Sequence, residues 1–390
     1  MGQLVIARDS LVKGLSILEG ITGGKHINPI CSSVMFNIVN DKVILRATNL
    51  EDSIETQIPL ESTDLDGSFL VFGPQLLNFV KELDDETITL GLDDASSTLS
   101  VVSSNSEAVI SLVPNEDFPA FPTVPDNGNL IPLPVGLFLE AIDKTGFSAA
   151  SEHESRVLYG INLVLEGNTL KVTSSDGFRL SHFRSDIENH SGVGWSVVLP
   201  KRRAQDLKRI LSMLFSKDEE VLMGHSGNHF YIGSKILSVF SRTIEEKYPD
   251  YESIIPKEYT RKAVLNRQQV VQAIKRVCLF SSQRSGGVKL QFDPEGKMLH
   301  LSSLRYSDEP FIGMAAESVD LLDSQGEPVT LGLNYRLVLE CLAVLRGEEV
   351  VLDLGDSLWP VRFTSEDDKG FYHILMPIQL DEIESEKESD

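Results

Sequence analysis

The chain says the same thing three times, and this internal repetition restricts its fold more than any other feature. Three stretches follow the pattern of a β-hairpin: VMFNIVNDKVILRATNLE from Val34, GINLVLEGNTLKVTSSDGF from Gly160 and GVKLQFDPEGKMLHLSSLRY from Gly287. In each, apolar and polar residues alternate, a turn of Asn, Asp, Gly or Pro intervenes, and the alternation resumes. The turns fall near Asn40, Gly167 and Glu295, spaced by 127 and 128 residues. Ahead of each hairpin stand a short apolar strand (LVIA, LIPL or AVL) and an amphipathic helix. The helices are DSLVKGLSILEGIT from Asp9, PVGLFLEAIDKTGF from Pro134 and NRQQVVQAIKRVCLF from Asn266. Behind each hairpin a strand feeds a second helix, whose start is marked by Gly73-Pro74, by Pro200, and by Gly332 or Asn334. Acidic turns (Asp84-Asp85-Glu86, Asp218-Glu219-Glu220, Glu348-Glu349) precede the next strand in all three copies.

A chain of 390 residues therefore reads as three α+β units, each a sheet with two helices packed on one face. Boundaries are expected in the Pro-rich stretch Pro119–Gly128 and the charged stretch Lys257–Lys262. The domains expected are residues 1–125, 126–258 and 259–380, followed by an acidic tail, 381–390, expected to be disordered.

Charge narrows the function. Lys and Arg number 35 against 58 Asp and Glu, a net charge of −23. A uniformly acidic surface repels phosphate, which excludes a protein gripping nucleic acid with its whole exterior but not a local basic strip. The basic residues gather on the helices: Lys201, Arg202, Arg203, Lys208 and Arg209 in the second copy, Arg267, Lys275, Arg276 and Arg336 in the third, with Lys25 after the first helix. Lys201, Lys208 and Arg209 share one helix face, opposite Leu207, Ile210, Leu211 and Leu214. A solvated face accounts for any one such helix; repetition at equivalent positions points to a lining that follows phosphates without reading bases.

Catalytic patterns are missing. Gly23-Gly24-Lys25-His26 fails as a phosphate loop, because Glu19 stands where the first Gly is required and His26 where Ser or Thr belongs. His225 and His229 lie among turn residues, and the acidic pairs Asp84-Asp85, Asp93-Asp94 and Asp367-Asp368 lie between strands. No metal, cofactor or catalytic residue is expected. No stretch reaches the roughly 18–20 apolar residues of a membrane span. Ile6 occupies the position where a myristoylation signal needs Ser or Thr. Cys31, Cys278 and Cys341 form no C-x-x-C, as expected of reduced thiols in a cytoplasmic protein.

Three motifs carry a family resemblance: SSDGFRLS (Ser174 to Ser181), YPDYESIIP (Tyr248 to Pro256) and HILMPIQL (His373 to Leu380). With the triple repeat, they make the chain resemble the beta subunit of bacterial replicative DNA polymerase III, the sliding-clamp family, over roughly residues 1–380. The resemblance implies a head-to-tail homodimer, a ring of six similar domains with helices lining the hole and duplex DNA threaded through it. It implies a processivity factor without a catalytic site. It also implies a hydrophobic pocket for short linear motifs of the replicative polymerase's alpha subunit, the clamp loader, other polymerases and mismatch-repair proteins. Its matching positions are Leu158, Ser175, Gly177, Phe178, Arg179, Leu180, Pro249, Ile254, Asn334, Leu358, Ile374, Met376, Pro377, Ile378 and Leu380.

On the same basis Ile110 and Leu112 would meet Leu279 and Phe280 of a second copy, while the basic residues named above would face DNA. The chain departs from the family pattern at Ser155, Ser253 and Leu337, where relatives often carry Arg, Arg and Tyr, and at Pro360. Read without the resemblance, the residues also admit a hydrolase or transferase with a cleft between repeats, or a monomeric peptide-binding scaffold.

Overall fold

The computed structural model describes residues 2–380 apart from 25, 94, 116–117, 126–129, 152–154, 156, 190–191, 283, 285 and 306–312. Both helices form in every repeat: α1 (Arg8–Thr22), α2 (Gly73–Lys81), α3 (Val135–Thr145), α4 (Lys201–Leu214), α5 (Arg267–Val277) and α6 (Tyr335–Val344). Leu11, Leu15, Leu18 and Ile21 recur at helical spacing along α1 and are all buried. Asn266 caps α5, its side chain accepting from Gln269 N at 3.0 Å, and Asn334 caps α6 in the same manner through Arg336 N. Asn334, not Gly332, thus starts the last helix; Gly332 lies inside the strand Val329–Asn334. Pro360 occupies the turn before the strand Val361–Thr364, where its missing N–H costs no ladder bond.

One hydrogen bond recurs in all three copies. The first helical N–H (Arg8, Val135 and Arg267) donates to the carbonyl of Glu86, Glu219 and Glu348, at 2.8 Å each time. The acidic turn is thereby pinned to a helix N-terminus, where negative charge is favourable. The hairpin turns repeat as well, with Asn40, Gly167 and Lys297 left-handed at φ 54°, 55° and 54°.

The chain packs as two compact units, Met1–Phe138 with Glu188–Leu199 and Asp206–Thr243, and Leu139–Ile187 with Pro200–Gln205 and Ile244–Asp390. The strands of the middle repeat are divided between them. In the first unit the strand Leu237–Arg242 of the middle repeat pairs antiparallel with Asp52–Pro59 of the first, from Leu237 opposite Thr56 to Ser241 opposite Asp52. Ser241 Oγ donates to Asp52 Oδ1 at 2.7 Å across this joint. In the second unit Arg179–Asp186 of the middle repeat pairs with Phe371–Leu375 of the third, from Arg179 opposite Leu375 to Phe183 opposite Phe371. One rule describes both joints: the third hairpin strand of one repeat takes the last strand of the next.

That rule leaves one strand over at each end. Glu107–Val113, the last strand of the first repeat, is bonded along its length to Thr98–Val102, and to Gly67–Phe72 only at Leu112 and Val113. Ala316–Gln325 is bonded through 316–320 to Met298–Ser303 and through 321–325 to Arg261–Asn266. Among the described residues the second sides of 107–111 and 316–320 carry no strand. Val109 on the first of these edges is 62% exposed, and Met314, two residues before the second, is 71% exposed.

Candidate functional site

The fifteen expected pocket positions all fall in the second unit, around the joint of Arg179–Asp186 with Phe371–Leu375. The turn entering the joint is built by short side chains. Asp176 Oδ1 accepts from Phe178 N and Arg179 N at 3.0 Å, and Ser175 Oγ accepts from Gly177 N while donating to Arg179 O. Gly177 takes φ +90°, a backbone state L side chains resist. The turn therefore throws Phe178 outward, 70% exposed. Met376 N donates to Phe178 O at 2.9 Å, and Ile378 N donates to Gly332 O at 2.8 Å. A Cβ on Gly332 would lie 2.9 Å from Leu380 Cδ2 and 3.2 Å from Ile378 O, so the C-terminal leg runs close over this bare backbone.

Leu180 and Ile374, opposite each other in the joint, are buried; beyond them Met376 is exposed and Pro377, Ile378 and Leu380 are half-buried. Ile254, closing the short turn Glu252–Ile254, is 65% exposed, and Leu358 is 57% exposed in a turn held by Trp359 N on Asp356 O. Tyr251 reaches back to His182, ring centroids 5.8 Å apart, and so ties the segment carrying Pro249 and Ile254 to the joint. Half-buried Leu158 enters on its own turn, its N–H on Ser155 Oγ.

Two expected members serve the scaffold. Asn334 spends its side-chain oxygen on the α6 cap. Buried Arg179 donates to Asp176 at 3.0 Å, to Phe147 O at 2.8 Å and to Glu340, with its guanidinium over the Phe147 ring. Sequence reasoning missed exposed Trp359, directly after Leu358, and missed Glu340. The Asp-x-x-Arg spacing of Asp176 and Arg179 was a visible signal of the brace.

Two histidines sit in the same joint. His373 is fully buried with Nδ1 2.8 Å from Ser181 Oγ, and burial, aided by the nearby Arg179 charge, brings its pKa down to about 3. His182 stacks on Tyr372 with Nδ1 2.8 Å from Thr173 Oγ1; burial, then Lys171 and Arg184, bring it to about 4. Both are neutral at pH 7. Because the folded values lie below the unfolded one, the unfolded chain takes up protons first as the medium acidifies. Stability is complete above about pH 6.5 and falls from there towards pH 4, by about 1.4 kcal/mol per unit per histidine. Urea midpoints should drop across this window, and His182→Phe should flatten the slope.

The basic positions divide by what holds them. Lys201 donates to Ala149 O, and Arg209 to Ser16 O. Arg267 donates to Gly347 O and Leu342 O, satisfying a terminal carbonyl of α6. Arg276 pairs with Glu317 at 2.7 Å. Arg202, Lys275 and Arg336 are exposed, and Arg203 and Lys208 half-exposed. Lys25, like the acidic tail, lies outside the described residues.

Of the expected subunit contacts, Leu279 and Phe280 are exposed, Leu112 is half-buried, and Ile110 is buried opposite Leu99 within its own sheet. Val109 and Met314 are exposed as well; with Ile110 turned inward, the two-residue strand period places Val109 outward. His225 and His229 flank a hairpin whose turn holds Gly227 at φ +61°. Among the described residues no cluster of His, Cys, Asp or Glu could hold a metal ion, and no helix is long and apolar enough to cross a membrane.

Known proteins share this architecture. Models of the N-terminal, central and C-terminal domains of the DNA polymerase III beta subunit match residues 2–122, 132–250 and 252–379. The beta sliding clamp of Synechococcus elongatus is 25% identical over 384 residues, 97% of this chain and 99% of the relative. That of Haemophilus influenzae is 25% identical over 385 residues, covering 97% and 100%. Among solved structures, the DNA polymerase III beta subunit of Thermotoga maritima superposes with a TM-score of 0.87 at 24% identity, covering 97% of this chain and all of its own. A Pseudomonas aeruginosa sliding clamp bound to griselimycin gives 0.89 at 24% identity, with coverage of 97% and 100%. The fold is thus three clamp domains in series.

Proposed function

The chain belongs to the DNA polymerase III beta subunit family, the sliding clamps of DNA replication, and we propose that two copies close head-to-tail around duplex DNA. The observation that carries this reading is the pair of unfilled edges. By the rule of the two internal joints, the strand Ala316–Gln325 calls for the last strand of another repeat, and Glu107–Val113 is a last strand whose second side carries no strand among the described residues. A second copy supplies each with the other. Repetition of one heterologous contact closes a ring when the rotation allows it, and closure removes edges that would otherwise invite aggregation. Val109 and Leu112 would then approach Met314, Leu279 and Phe280 of the partner, with Ile110 packed inside its own sheet.

In this reading the domains are 1–125, 126–258 and 259–380, and the clamp holds DNA by topology. The helix cations supply weak, salt-dependent phosphate contacts that permit sliding, while the net charge of −23 keeps DNA from adhering elsewhere. The apolar cluster at the second-unit joint docks short segments of the replicative polymerase, the clamp loader and repair proteins. Docking keeps each at high effective concentration beside the primer end. The protein contributes processivity and no chemistry of its own, in the cytoplasm where replication proceeds.

The test is solution mass together with retention on DNA. We expect twice 43.2 kDa, and, after loading onto nicked circular DNA, retention that is lost on linearisation. A particle of single mass, or equal retention on linear DNA, overturns the reading.

A further inference from the structure

The charge around the apolar cluster says what kind of segment it accepts. Three exposed apolar residues each follow a carboxylate by two positions: Phe178 after Asp176, Ile254 after Glu252 and Leu358 after Asp356. Across the segments 174–180, 244–260, 334–340, 355–360 and 374–380, eight carboxylates stand against four cations. One of those four, buried Arg179, is paired with two of the eight, Asp176 and Glu340, which leaves six carboxylates against three cations. Asp356 is paired in turn with Arg261 at 3.4 Å. Asp250 and Glu252 are exposed on the turn that presents Ile254.

We propose that the peptide taken at this site carries its apolar anchors beside lysine or arginine, and that acidic flanking residues are rejected. The inference rests on the docking reading above. An apolar slot sets affinity through its anchors, whereas rim charges set selectivity and encounter rate. Like charges brought together at a partly desolvated rim are penalised on docking, and the steering field decays over about 8–10 Å at moderate salt.

The experiment uses the full-length protein and fluorescence anisotropy of three short fluorescein-labelled peptides. They share the same Leu and Phe anchors and differ only in flanks of lysine, serine or glutamate. At low salt the lysine peptide should bind about tenfold more tightly than the glutamate peptide, with serine between, and at roughly 0.5 M salt the three should converge. The exposed reversals Asp250→Lys with Glu252→Lys should raise affinity for the glutamate peptide and lower it for the lysine one. Equal affinities at low salt, or preference for glutamate, overturn the inference while leaving the docking site in place. If none of the peptides binds, or binding survives Met376→Ala with Leu380→Ala, the docking reading itself falls.

Discussion

Changing Met376 and Leu380 together to alanine is expected to abolish partner-peptide binding, by about a hundredfold or more, while the subunits stay associated. Met376 leaves the joint through its N–H on Phe178 O, and Leu380 lies against the bare backbone of Gly332. Both are apolar side chains on a backbone leg that these contacts hold in place. Burial of such side chains by a ligand is worth about 1.5–3 kcal/mol each, and two of them sum to more than the roughly 2.7 kcal/mol of a hundredfold change. Neither lies on the free edges 107–111 and 316–320, so sedimentation mass should not change. Simultaneous loss of association would refute the site assignment; retained peptide binding would refute the docking site itself.

The second large effect concerns stability. Lys144 of α3 is only 3% exposed, bonded to Asp368 and 2.9 Å from Glu140 Oε1, with its ammonium 5.5 Å from the rings of both Phe183 and Phe371. Arg346 adds a guanidinium on Glu140 at 2.9 Å and its own N–H on Asp368 Oδ2. Removing the lysine strands a buried carboxylate, so Lys144→Met should cost about 3–5 kcal/mol of unfolding free energy. Adding Asp368→Asn, which keeps an acceptor for Arg346 N, should recover most of it, since removing both charges of a buried pair costs far less than removing one. Urea denaturation of the two variants decides. A loss below about 1 kcal/mol for the single change would mean that the ion pair contributes no more than one on the surface.

The repeat was legible in the sequence because hairpin alternation, turn residues and helix amphipathicity are local, and the structure returned six helices at the anticipated positions. Asn266 and Asn334 were readable as caps for the same reason. The motif SSDGFRLS announced a tight turn, since Asp176 and Gly177 are the residue types such a turn requires. The joints were not legible. Asp52 and Ser241 are 189 positions apart, and no local pattern records which of several alternating strands will be neighbours. The fates of Arg267 and Arg179 were hidden for a related reason. A basic residue looks alike in sequence whether it faces solvent or donates to carbonyls and carboxylates of another segment. Ile110 against Val109 shows the smallest version of the problem, in which one step of register decides which side chain is available to a partner.

The middle repeat gives one strand to each of two neighbours. Excised at its chain boundaries, that third of the molecule would expose two raw backbone rows, Leu237–Arg242 and Arg179–Asp186, each shaped for a missing companion. Its covalent limits are therefore not its mechanical ones. Force applied along the sheet would first meet the cross-repeat ladders, which are shared property, rather than the linkers that separate one copy from the next.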